Sequence, residues 1–332
     1  MSRKSASTRQ EKIIRPATDG TVPPVRPTVL SSAERALLAA AACALAWPAQ
    51  ALPARAAWPG ASVRIVVAYP AGGVSDMVAR ALAEQLAQQW GTAVIVDNRP
   101  GASGTVALEL LAHSAPDGRT LVFAAATAVG LAAASVTPVA GVMRTPMLLV
   151  GTPALKAADF EGMLAEARGM PGGIRWATTG EGTTGHAVLQ RIEQATRIPI
   201  VHVPYKGGGQ QLNDALAGHF ELLSTNVAPL QLQALRAGRL KALAVGAPQR
   251  LAALPDVPTL AQLGHAQANL DSLFGLFAPP QMAPALAQRI NAAVAQALRA
   301  PAIRSRLEAA SNQPFEGSAT EFAQQVMREA GR

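Results

Sequence analysis

The sequence predicts an α/β fold of layered strands and helices, and three observations predict it. Short apolar runs alternate with helix-like segments from Val63 onward. The 332 residues are 49% hydrophobic and only 15% charged, which suits a packed core rather than a disordered chain. Two apolar runs, residues 63–68 and 200–203, lead into glycine-rich turns that open a helix: Tyr69-Pro70-Ala71-Gly72-Gly73-Val74-Ser75-Asp76 and Val203-Pro204-Tyr205-Lys206-Gly207-Gly208-Gly209. Glycine lets the backbone bend tightly and present its N–H groups, and the helix start adds partial positive charge. Such a turn suits a carboxylate or phosphate. Two of them, far apart in sequence, point to an anion held between two lobes.

Each element follows from its local pattern. Residues 63–69 read as a buried strand. Ser75 is placed as the N-cap of the next helix, with Val78, Leu82, Leu86 and Trp90 four apart on one face and Gly91 as its stop. Residues 93–96 are a strand and 97–101 (DNRPG) a turn by composition. Residues 105–113 read as a helix, Asp117-Gly118 as a turn and 121–125 as a third strand. A short strand is expected at 147–150 and a helix at 160–168, closed by GMPGG at 169–173. The strand at 174–177 runs into TTGEGTTGH, residues 178–186, and then a helix with Val188, Leu189, Ile192 and Ala195 at helical spacing. This is a third strand–glycine turn–helix unit. A short helix around Leu212, Ala215 and Leu216 and strands at 220–223 and 240–245 come next. An extended connector at 254–258, a strand at 273–278 and an amphipathic helix at 283–298 complete the pattern. No repeat period accompanies it.

The formal net charge of +8 is unevenly placed. Residues 1–56 hold eight basic and three acidic residues, and residues 36–47 are an unbroken apolar stretch followed by Ala49-Gln50-Ala51 and Ala54-Arg55-Ala56. A basic segment, a short apolar one and an A-x-A site read as a secretory signal, here residues 1–56, with cleavage after Ala56 or, alternatively, Ala51. The apolar stretch is too short for an ordinary membrane-spanning helix. The basic leader then speaks of export, and the near-neutral remainder, with three lysines, argues against nucleic acid. Cys43 is the sole cysteine and lies within the apolar stretch. Cleavage leaves no thiol and no disulfide; the competing reading is a lipoprotein anchored at Cys43.

Sequence-local catalytic signatures are missing. The five histidines form no HExxH and no close metal pairing, and no G-x-S-x-G elbow, Walker lysine or Rossmann glycine fingerprint occurs. No cofactor and no metal are expected. The marked residues each carry two readings. Gly72 and Gly73 either bind an anion or simply make a tight turn. Asp76 is a ligand group or a carboxylate serving the helix dipole. Lys206 attracts an acid or is a solvated surface lysine. Thr183 and Thr184 offer hydroxyls and N–H groups to an anion or cap their helix, and His186 is a ligand or a packing residue.

Taken together, several segments resemble the Bug (TctC-like) family, the extracytoplasmic solute-binding receptors of tripartite tricarboxylate transporters. They are residues 63–76 with 80–82, 94–104 (VIVDNRPGASG), 115–121 (APDGRTL), 176–186 (WATTGEGTTGH), 200–208 (IVHVPYKGG), 238–245 (GRLKALAV), 254–259 (LPDVPT) and 274–279 (FGLFAP), in family order. The resemblance implies a two-lobed periplasmic-binding-protein fold of the Venus-flytrap kind, type II, with two crossovers. Lobe 1 is expected at 57–138 plus 250–332 and lobe 2 at 139–249. It implies a periplasmic monomer, not an enzyme, that binds a small organic carboxylate and delivers it to membrane transporter subunits.

Carried over by position, the first binding turn is Tyr69, Ala71, Gly72, Gly73, Ser75 and Asp76. The second is Thr179, Gly180, Thr183 and Thr184 with His186, and the third Tyr205, Lys206, Gly207 and Gly208; Thr127, past the third strand, joins the set. Three departures from the family accompany it. A stretch of about a dozen residues is missing after Thr127, in a region where a loop can line the cleft. Thr225 stands where an aspartate is usual, and the C-terminus at Arg332 stops short of the usual final helix. Two competing classes are a secreted carboxylate-acting enzyme, with His186 and Asp76 as its acid–base candidates, and a ligand-free sensor or interaction module of the same fold.

Overall fold

The computed structural model describes Ser32, Ala33 and residues 58–331. Apart from Ser32 and Ala33, the proposed leader, with Cys43 and both cleavage sites, lies outside the described residues. The chain divides into Met1–Arg55 and a compact unit Ala56–Arg332, and every element below belongs to the second.

One half of this unit is built on β1 (Val63–Val67), which lies parallel between β2 (Val94–Asn98) and β3 (Thr120–Ala125). On its other side β3 pairs antiparallel with β9 (Asp271–Ala278), and β9 pairs with residues 137–146 of β4 (Thr137–Gly151). The two-residue β10 (Gln313–Pro314) also pairs with β4. Residues 147–151 of β4 continue into the other half, flanked by antiparallel β7 (Leu222–Asn226) and β8 (Lys241–Gly246). Beyond β7 come β5 (Ile174–Thr178) and β6 (Ile200–Pro204), both parallel.

Strands buried on both faces need nearly continuous apolar runs, and VRIVV in β1 is one apart from the partly exposed Arg64. Helices supply the cover. In the first half α1 (Val74–Trp90), α8 (Pro284–Leu298) and α9 (Pro301–Ala309) bury Ile65, Leu82, Leu86, Phe123 and Val294 on one face. On the opposite face α2 (Thr105–Ala112) and α10 (Ala319–Ala330) bury Val66, Leu108, Phe277 and Phe322. In the second half α4 (Phe160–Arg168) and α5 (Thr184–Thr196) pack Phe160, Ile192 and the fully buried Trp176. Its other face carries α6 (Gly208–Leu216) and α7 (Pro229–Arg236), through Leu212 and Leu232. Each such side chain stabilises the fold by about 1.5–3 kcal/mol. Residues 251–270 pack with the second half, through Leu251, Leu260, Ala268 and Leu270, before the chain returns at Asp271 opposite Pro146.

Several expectations are corrected. Ser75 is not the N-cap of α1: the helix starts at Val74 and Gly73 holds the cap position without a side-chain bond. The short strand at 147–150 is the end of a fifteen-residue strand, because β9 pairs with its earlier, less regular part. Asp97 and Asn98 continue β2 instead of turning. The connector at 254–258 is folded into turns, with Leu254 N–H bonded to the Leu251 carbonyl and Val257 N–H to that of Leu254. Helix α10, started by a capping box between Ser318 and Glu321, follows β10. Helices α7 and α9, and the short α3 (Thr127–Leu131), lacked a sequence signal strong enough to be assigned.

Candidate functional site

Four helices begin at one cleft. Their N-terminal residues Gly73–Val74–Ser75 (α1), Gly104 (α2), Gly207–Gly208–Gly209 (α6) and Ala228–Pro229–Leu230–Gln231 (α7) all line a cavity of about 660 Å³. None of the four has a side-chain cap. In α1 the first bond back to the cap runs from Met77 N–H to the Gly73 carbonyl, so the N–H groups before it have no intrahelical acceptor. In α7 Pro229 sits in the first turn, which leaves Leu230 and Gln231 as the donors there. Two of these helices come from the β1–β3 half and two from the β5–β8 half. Their positive ends converge, and an anion between them is favoured.

The Tyr69–Asp76 turn is held rigid from behind. Asp76, 5% exposed, accepts from Gly72 N–H (3.0 Å), Arg80 Nε (3.0 Å) and Asn98 Nδ2 (2.9 Å). Asn98 also donates to the Tyr69 carbonyl. Burial alone would raise the Asp76 carboxyl; the hydrogen bonds from Arg80, Gly72 and Asn98 prevail and hold it below the ordinary carboxylate range. Gly72 takes φ +82°, a left-handed conformation that glycine alone adopts without cost. Tyr69 forms the floor beside Phe274, with ring centroids 5.7 Å apart. Its hydroxyl accepts from Ala125 N–H (2.9 Å), and burial pushes its pKa up to about 12.

Tyr69, Ala71, Gly72, Gly73, Ser75, Thr179, Lys206, Gly207 and Gly208 therefore meet at the cleft wall. Asp76, Thr127, Gly180, Thr183, Thr184, His186 and Tyr205 stand behind or beside it. Thr183 caps α5, accepting from His186 N–H and donating to the Gly180 carbonyl (2.7 Å). Gly182 N–H donates to His186 Nδ1 (3.1 Å), and the His186 ring stacks on His202 at 4.5 Å. Thr184 is buried in α5, and Thr127 is buried at the start of α3. Tyr205 turns its hydroxyl to Asp214 (2.7 Å); burial and that carboxylate raise its pKa to about 12.

Sequence reasoning missed Ser103, Gly104, Asn213, Asn226, Gln231 and Phe274 as lining groups, and marks Thr225 only as a departure from the family the sequence resembles. The two halves also touch directly beside the cleft. Ser103 Oγ donates to the Glu181 carbonyl at 2.9 Å. A Cβ on Gly180 (φ +127°) would stand 2.5 Å from Ser103 Oγ, one on Gly207 would stand 3.1 Å from Pro70, and one on Gly182 would overlap Leu131. The halves meet closely at these glycines, where an added Cβ would displace Ser103 or Leu131. Among the described residues no group of three His, Cys, Asp or Glu could hold a metal. Among the same residues no helix is long and apolar enough to cross a membrane.

Comparison with known proteins adds three findings. Residues 78–332 match the family described as "Tripartite tricarboxylate transporter family receptor". Protein BugT of Bordetella pertussis (strain Tohama I) is 32% identical over 244 residues, covering 70% of this chain and 74% of BugT. Two solved structures share the fold. The periplasmic binding protein BugD gives a TM-score of 0.74 at 24% identity, covering 82% of this chain and 97% of that one. MatC (Rpa3494) of Rhodopseudomonas palustris, solved with bound malate, gives 0.75 at 28% identity, covering 83% and 98%.

Proposed function

The chain belongs to the family of tripartite tricarboxylate transporter receptors, and from that premise we propose that it captures a small organic carboxylate between its lobes and delivers it to a membrane transporter in the periplasm. It has the two-lobed periplasmic-binding-protein fold, and its relatives are binding proteins, not enzymes. The observation that carries the proposal is the convergence of four helix starts without side-chain caps, two from each lobe, on one cleft. Malate in MatC is a ligand of the chemistry that such a cleft suits.

We assign lobe 1 to residues 58–146 with 271–331 and lobe 2 to 147–270. The passages at Pro146–Met147 and Leu270–Asp271 are then the hinge. In the proposed binding step, N–H groups of α1 and those of α6 and α7 grip carboxylate oxygens from opposite sides. Closing excludes water, and the lower local dielectric strengthens those bonds. Closure is a population shift whose size equals the ligand's preference for the shut form. The shut monomer is the form that docks on the transporter.

Calorimetric titration with citrate, succinate, malate, glutamate, nicotinate and benzoate tests the proposal. Saturable one-to-one binding with the acid recovered unchanged supports it. No heat from any acid, with the protein folded, overturns it in favour of a ligand-free module, the reading that the short passage from Thr127 to β4 favours.

A further inference from the structure

We propose that His186 and His202 are positioning residues for closure: as neutral rings they hold the turn with which lobe 2 meets lobe 1, and their protonation opens the cleft. The proposal rests on the receptor reading above and adds its regulation. That turn, residues 178–183, supplies the Glu181 carbonyl that accepts from Ser103 Oγ of lobe 1 at 2.9 Å. Its Gly180 and Gly182 lie against Ser103 and Leu131, and its Thr179 lines the cavity. Two half-buried imidazoles stand behind it. His186 Nδ1, on α5, accepts from Gly182 N–H at 3.1 Å. His202 Nε2, on β6, lies 2.8 Å from Thr178 Oγ1, which accepts from Gly180 N–H at 3.1 Å. The rings are stacked, with centroids 4.5 Å apart and planes 16° from parallel.

This arrangement suits neutral rings. His186 Nδ1 is occupied as an acceptor, so the neutral ring carries its proton on Nε2 and the acid form must add one at Nδ1, against an N–H already aimed there. The Gly182 bond is then lost, next to the residue whose carbonyl closes the seam. A second proton on the stacked ring sets two like charges face to face. Few charged groups surround the pair. Glu181 in the turn and Glu193 on α5 act on His186, and Glu181 acts on His202. Of the other elements packed closely on α5, β7 (LLSTN) and the turn at Ala266–Ala268 carry no titratable side chain, and Arg175 of β5 is paired with Glu221. An imidazolium therefore draws in Glu181, and that pulls on the seam itself. Closure and proton uptake compete. By reciprocity, a ligand that shuts the lobes lowers the proton affinity of the pair.

Calorimetric titration with malate at pH 7.5 and at pH 5 tests this against a variant carrying His186→Asn and His202→Gln. The amides keep polar groups near the Nδ1 and Nε2 positions and take up no proton. Malate's own ionisation affects both proteins alike, so the compared quantity is the ratio of the two dissociation constants. That ratio should be roughly threefold to tenfold larger for the unaltered chain, the loss expected for one hydrogen bond. A ratio shared by both proteins overturns the proposal and leaves the receptor reading standing. NMR titration of the His186 ring in the unaltered chain decides independently, even if the variant fails to fold. Its midpoint should fall to lower pH when malate is saturating, and an unmoved midpoint overturns the proposal. No binding of malate or of the wider panel at either pH, with the fold intact, overturns both readings.

Discussion

Replacing Ser103 with alanine tests whether closure contributes to affinity. Ser103 lies on the lobe 1 rim, and its Oγ donates 2.9 Å to the Glu181 carbonyl on lobe 2. That bond exists only while the lobes are shut. A net intramolecular hydrogen bond contributes about 0.5–1.5 kcal/mol. Taking about 1 kcal/mol, the dissociation constant should rise roughly fivefold. The loss should appear mainly as faster release, because the bond forms after the ligand has entered. Calorimetry with malate gives the first quantity and stopped-flow tryptophan fluorescence the second. Thermal melting of the ligand-free protein should move little, since neither lobe's core is touched. Ser103 also borders the cleft, so Leu131→Ala serves as a control: Leu131 covers Gly182 across the same seam and does not line the cavity. It should weaken binding in the same direction. If both variants keep the original affinity and release rate, the seam contributes nothing and the closure argument is refuted.

Other predictions use different levers. Burial lowers the pKa of His186, against the opposing charges of Glu181 and Glu193; burial and the charge of His186 lower that of His202, against Glu181. The folded state therefore resists protonation, so stability present at neutral pH should be lost as pH falls below the ordinary histidine value of about 6.5 and on through the lowered ones. Melting curves from pH 7.5 to 5 check this, and His202→Gln should flatten the profile. Lys206→Ala should weaken malate more than the monocarboxylate butyrate in calorimetric titration; equal losses would make its charge irrelevant. Thr183→Ala removes the α5 cap and should cost about 1 kcal/mol in denaturant unfolding, with malate affinity nearly unchanged because Thr183 stands outside the cleft.

The elements that could be read from the sequence were those whose signals are local. Helix α4 was placed at its observed limits because Phe160, Met163, Leu164 and Ala167 keep one buried face and Gly169 stops it. The turn from Tyr69 to Asp76 is legible because its glycines follow a buried strand. Helix α7 was missed for the opposite reason. Ala228 gives no cap signal, and Leu230 is exposed, so the apolar pattern is blurred. Its start nevertheless lines the cleft. The second expected turn shows the complementary difficulty. Thr183 has the chemistry either to hold an anion or to cap α5, and sequence alone does not decide where a hydroxyl points; in the structure it is occupied with His186 N–H and the Gly180 carbonyl. Ser103 escaped notice because DNRPGASG reads as a turn, while its partner at Glu181 lies far along the chain.

Strand β9 sits between β3 and β4, with Phe277 opposite Val122 and Leu276 opposite Ala140. Lobe 1 is therefore missing a central strand until nearly the whole chain has been made. Lobe 2, contiguous from Met147 to Leu270, has all its strands beforehand. A chain growing from its N-terminus leaves the exposed edge of β3 waiting while the other lobe acquires its native pairings. Long-range strand insertion of this kind is slow, and an open strand edge invites mispairing. The early part of lobe 1 is thus the stretch most in need of protection during biogenesis, and a deletion within β9 should leave a folded lobe 2 attached to an aggregation-prone remainder.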